Sequence, residues 1–229
     1  MAVEQGTTAV TAWVTAGTRQ QVKDVLDVEK SRRIILSSAP GWRTRGLTPE
    51  KKAEVRDRWR LEVLRLRDAA ELIDTIDTLA TCGIARELGE RGWSREWPSI
   101  PSEARALGGR WPGSRNGGFP EGIPLRLPSA LADRVLAACW HTSAASIRKI
   151  RQWREEYPGL VPPAAAPDPE ALHELSDPLA EYERLAANVT TVGVIYRSGI
   201  KRGIEAAQTL SAARYPDLRS KTGVANDAS

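Results

Sequence analysis

A chain of 229 residues, 41% hydrophobic and 27% charged, is long enough to bury a core and has the balance of a globular protein. No apolar run approaches the roughly 20 residues that cross a bilayer. Two cysteines, Cys82 and Cys139, make no disulfide framework and lack CxxC spacing, so reduced thiols packed in helices are expected.

The first residues, MAVEQGTTAVTAWV, show no basic region ahead of an apolar one. No secretory signal is expected there, and a cytoplasmic location follows as the expectation. Arg exceeds Lys, and Ala, Trp and Pro are frequent, which points to a GC-rich genome such as that of an actinobacterium or its phages and plasmids.

Residues 1–46 read as an arm followed by a helix. The arm, to residue 16, is expected to be weakly structured. The helix spans 18–37, with Thr18 as its cap and Val22, Val25, Leu26 and Ile34 on its apolar side. Ala39-Pro40-Gly41-Trp42 breaks it. Residues 47–91 then read as a long amphipathic helix, or two in line with a break near Gly83. Thr48 suits the N-cap, Pro49 the first turn and Glu50 the positive dipole end. Val55, Trp59, Val63, Leu66, Ala70, Ile73, Ile76 and Ala80 recur at helical spacing.

Residues 92–122 turn Gly-, Pro- and Trp-rich and read as a long loop with one helical turn near Ser102–Leu107. Its glycines do not make a phosphate-binding pattern. Arg110 and Arg115 are candidate nucleic-acid contacts, and the loop is also a candidate surface for a protein partner. Residues 160–177 are a Pro-rich linker. A C-terminal long helix is expected over 178–214, with Gly199 and Gly203 marking a close helix crossing. Residues 215–229 read as a tail.

Residues 123–159 hold the most informative pattern. Ile123, Leu125 and Leu127 alternate with Pro124 and Arg126, the period of a strand with one buried face. Ser129 then caps a helix with Leu131, Val135, Leu136 and Cys139 inward. Trp140-His141-Thr142 is read as a break. A second helix follows, with Ile147, Ile150, Trp153 and Tyr157 inward and Arg148, Lys149, Arg151 and Arg154 outward. Across 105–154, nine Arg or Lys stand against Glu121 and Asp133 alone, a concentration that favours a polyanion partner.

Strand, helix, break and basic helix over 123–157 resembles the ribbon-helix-helix family of DNA-binding proteins. That resemblance implies a base-reading role for Arg126 and phosphate contacts at Ser143 and Ala144, where the second helix would begin. Pro124 and Gly122 depart from the pattern, since neither side chain can read a base. The same residues also resemble a helix-turn-helix, in which Arg148 and Lys149 face the groove with Ser143 and Ala144. His141 and Thr142 depart from that pattern in the turn. Both readings place the helix after Thr142 on DNA.

His141 and His173 lie far apart, and no HExxH, Cys/His cluster or GxSxG occurs, so no catalytic residue, metal or cofactor is assigned. The sequence therefore leads to a mainly α protein, a long-helix bundle carrying a small basic strand-helix-helix unit. The expected function is non-enzymatic DNA binding, in transcription regulation or as an accessory factor of a mobile element. Its expected contacts are Arg126, Ser143, Ala144, Arg148, Lys149, Arg151, Arg110 and Arg115. A homodimer is expected, because one small unit buries too little surface for specificity, and no membrane is involved. The alternative is a helical phage or plasmid assembly component without nucleic-acid binding.

Overall fold

The computed structural model describes residues 6–106, 111–112, 118–162 and 176–214. In chain order the elements are β1 (Thr7–Val14), α1 (Thr18–Ser37), a 3-10 turn at Pro40–Trp42, α2 (Pro49–Asp68), α3 (Ile76–Glu90), α4 (Ser102–Ala106), β2 (Glu121–Pro128), α5 (Ser129–Glu156), α6 (Asp177–Ala187) and α7 (Val192–Arg214). Over the described residues the protein is mainly helical, with one two-stranded antiparallel sheet. Its contacts divide into two units, 1–16 with 85–198 and 17–84 with 199–229; the chain passes between them ahead of α1, within α3 and within α7.

In the unit of residues 17–84 and 199–229, α1 starts at Gly17, whose φ of 82° is left-handed, and no side chain caps it. Thr48 caps α2 as expected, accepting from the Lys51 amide. The helix read over 47–91, whole or broken near Gly83, stops instead at Asp68. Ala70 takes a φ of 53°. The Glu71 amide reaches back to the Leu66 carbonyl and the Ala70 amide to that of Arg67, the bond pair of a Schellman stop. Glycine usually fills that left-handed position, which is why the sequence hid the stop. The Thr75 hydroxyl then accepts from the Thr78 amide and opens α3.

Between these helices Leu72 and Ile73 are fully buried. Polar groups fix the segment on both sides. The carboxylate of Glu29, itself buried, accepts from Arg32 at 3.0 Å, the Ile73 amide at 3.1 Å and the Ser211 hydroxyl at 2.6 Å. Asp74 accepts from Arg67 at 2.7 Å and Arg33 at 2.8 Å. Gly83 lies inside α3, not at a break. A Cβ on Gly83 would sit 1.8 Å from the Gly199 carbonyl oxygen, and one on Gly203 would sit 2.3 Å from that of Leu79. The close crossing expected from Gly199 and Gly203 is therefore present, and α3 supplies its other side.

In the unit of residues 1–16 and 85–198, residues 7–14 are a strand and not a loose arm. Alternation in TTAVTAWV supplies the reason: Ala12 and Val14 are buried and Thr7, Ala9, Thr11 and Trp13 exposed. β1 pairs with β2 in the register Ala9↔Arg126, Thr11↔Pro124 and Trp13↔Gly122. The C-terminal long helix is interrupted here too, at Asn188–Thr191. Asn188 bonds back to the Arg184 carbonyl, and the β-branched run Val189-Thr190-Thr191-Val192 is a poor helix interior. Of the linker read over 160–177, residues 163–175 lie outside the described residues, as does the tail at 215–229, and α6 already begins at Asp177.

Candidate nucleic-acid interface

β2 meets the expectation for a strand with one buried face. Ile123, Leu125 and Leu127 are buried while Pro124 and Arg126 are exposed. Its strand partner is β1 of the same chain, so an intrachain ribbon forms. The Ser129 amide donates to the Gly6 carbonyl at 2.8 Å, which fixes Gly6, Thr8, Val10, Ala12 and Val14 as the hydrogen-bonded parity of β1. Thr11↔Pro124 is then a pair that exchanges no ladder bond, and the proline costs the ribbon nothing. The outward face carries Thr7, Ala9, Thr11 and Trp13 from β1 with Gly122, Pro124 and Arg126 from β2. Trp13 lies across Gly122, where a Cβ would come within 3.5 Å of its ring.

α5 corrects both motif readings. It is one continuous helix of 28 residues with no break at Trp140-His141-Thr142. No Gly or Pro falls between Ser129 and Tyr157. The Thr142 hydroxyl bonds back to the Ala138 carbonyl at 2.8 Å and caps nothing. Ser143 and Ala144 therefore lie in mid-helix and both are buried. The Ser143 hydroxyl accepts from the Thr190 amide at 3.0 Å and reaches the Thr190 carbonyl at 3.4 Å. Its task is to hold the turn between α6 and α7 against α5. Neither residue can meet phosphate, and no helix N-terminus exists at this point.

Arg148 and Lys149 are exposed on α5 as expected, and Arg151 is half-buried. They share the outer side of α5 with Arg134, Gln152, Glu155 and Glu156, all exposed, so that stripe is mixed in sign. At about 1.5 Å per residue, Arg148 lies about 28 Å along the helix from Ser129. Arg126 and the Arg148–Lys149 pair therefore do not form one cluster. Arg110 and Arg115 lie outside the described residues.

Trp111, Trp140 and Trp153 are buried, and Trp42, Trp59, Trp93 and Trp97 are half-buried. Trp42 packs on Trp59, Trp93 on Trp97, Trp111 on Trp140 and Trp153 on Tyr182. Seven of the eight tryptophans are thereby in ring pairs, and Trp13 alone is left on an open face. His141 stacks on Trp97 with planes 9° apart, and its Nε2 lies 3.0 Å from the Pro98 carbonyl, so that nitrogen is the protonated one. His141 ties the Trp-rich loop to α5. Burial pushes the Cys139 thiol up to about 12, which makes it a poor nucleophile. Both cysteines are free thiols. Among the described residues no three His, Cys, Asp or Glu side chains gather as a metal site, and no helix is long and apolar enough to cross a membrane.

The residues that sequence reasoning missed are Thr7, Thr11 and Trp13, whose signal is the period-two alternation of the first strand. Comparison with protein-family models, with curated proteins and with solved structures gives no match.

Proposed function

We propose that this chain is a non-enzymatic DNA-binding protein, a transcription regulator or an accessory factor of a mobile element, and that it meets the duplex with the outward face of its ribbon. One observation carries the reading. Arg126 stands exposed on a two-stranded ribbon among small and hydroxylated side chains, with the opposite face buried in the core. The guanidinium fork matches guanine O6 and N7, and threonine hydroxyls suit phosphate or base edges. Arg148 and Lys149 supply backbone contacts farther along α5. The mixed stripe of α5 is a weaker polyanion surface than the sequence suggested, which moves the weight of the proposal to the ribbon.

Fluorescence anisotropy on a labelled duplex pool across a salt series tests it. The wild type is expected to bind with affinity falling steeply with salt. Arg126→Ala is expected to relax sequence preference, by about 1–3 kcal/mol at the base it reads. Arg148→Ala/Lys149→Ala is expected to lower the salt slope by about two and leave preference unchanged. Absence of binding at low salt would overturn the reading.

A second reading, a helical assembly component, has its own observation. Leu61 and Leu64 on α2 are 67% and 52% exposed, and Ile34 on α1 is 63% exposed. Exposed leucines three apart on a helix suit an apolar partner, and association through them would be insensitive to salt.

A further inference from the structure

The two edges of the ribbon are built differently. On β2 the outward-pointing backbone groups belong to Gly122, Pro124, Arg126 and Pro128, since the other parity bonds to β1. Two of those four positions have no N–H, and a third carries a charge. These are devices by which a sheet edge refuses another strand. β1 has none of them. Its sequence, TTAVTAWV, holds no Pro, Lys or other charged residue, and five of its eight residues are β-branched. Its outward backbone groups belong to Thr7, Ala9, Thr11 and Trp13. The Trp13 carbonyl is met by Arg197 at 3.3 Å. Among the described residues no strand pairs with the edge from Thr7 to Thr11, and the side chains of Thr7, Ala9 and Thr11 are all exposed.

We infer that this edge is an interaction surface whose occupant is β1 of a second copy of the chain. Antiparallel pairing about a two-fold axis at Ala9 sets Ala9 opposite Ala9 of the copy, and Thr7 opposite its Thr11. Every outward N–H and C=O from Thr7 to Thr11 then finds a partner without involving the Trp13 carbonyl. An uncharged strand meets its own copy with no like-charge pair, and threonine opposite threonine is a favourable cross-strand neighbour. A charged peptide would find no counter-charge along this edge. The product is a four-stranded sheet in the order β2-β1-β1-β2. Because Arg126 is the register partner of Ala9, both copies of Arg126 fall in one row across its outward face. The inference stands on the edge alone and does not depend on DNA binding.

Light scattering after size exclusion, on the full chain without DNA, tests it. The expected mass is twice 25.1 kDa. Ala9→Pro removes an outward N–H and leaves the β1–β2 ladder intact, so it should give the single-chain mass with unchanged circular dichroism. Ala9→Cys sets two thiols across the axis, where paired Cα atoms lie about 5.5 Å apart. It should be trapped as a covalent dimer by diamide, while the wild type, holding only Cys82 and Cys139, should not. A monomeric wild type at millimolar concentration would overturn the inference. So would a dimer that persists in folded Ala9→Pro, or an Ala9→Cys dimer that does not cross-link.

Discussion

At Gly83 the backbone of α3 meets that of α7 with no room for a methyl group. The cost of adding one is set by backbone, which cannot rotate away. Gly83→Ala is expected to lose about 3 kcal/mol or more in urea unfolding, at the upper end of overpacking costs. Gly41→Ala, whose Cβ would meet nothing within 4 Å, should stay within about 0.5 kcal/mol of the wild type. Asp74 offers a pH test. Burial raises its pKa, but the bonds and charges of Arg67 and Arg33 outweigh it and hold the carboxyl below its ordinary value. A carboxyl depressed in the folded state contributes stability above its unfolded pKa of about 3.9, and that stability is lost as pH falls through the folded value. The urea midpoint should fall between pH 6 and pH 3, and Asp74→Asn should flatten that fall.

Among the elements, α5 departs furthest from its sequence reading. Trp140-His141-Thr142 resembled a turn because Thr and Ser suit caps. Both hydroxyls have other work in the fold, Thr142 on the turn behind it and Ser143 on Thr190. Nothing local announces a partner 47 residues away. The amides of His141 to Ser143 are therefore expected to exchange with solvent as slowly as those of Val135 to Cys139; fast exchange at that point would restore the turn. Ser143→Ala should cost about 1 kcal/mol, since it leaves the half-buried Thr190 amide without its acceptor. Its effect on DNA affinity should vanish once the fraction folded is taken into account.

Taken whole, the molecule is legible in sequence wherever local pattern decides. The extents of α1 and of the β2 core and the glycine crossing were readable from spacing, and the start of α2 from its cap, whereas Gly17 and not Thr18 stands at the N-cap of α1. What was not readable rests on distant partners. The stop at Ala70 uses a residue that disguises it. Residues 7–14 alternate plainly, but a strand is only as convincing as its partner, which lies more than a hundred residues away. The candidate site was half legible. Arg126, Arg148 and Lys149 are exposed as expected, while Ser143 and Ala144 are core, and the other half of the outward face came from the segment read as an arm.

DNA contact by the ribbon face, as proposed, has a residue-by-residue signature. Amide chemical-shift mapping of the isotope-labelled chain, titrated with a duplex, tests it most directly. Shifts are expected to concentrate at Thr7–Trp13 and Gly122–Arg126, with a smaller set at Arg148 and Lys149. Shifts confined to α5, or none at a duplex excess at low salt, would contradict it.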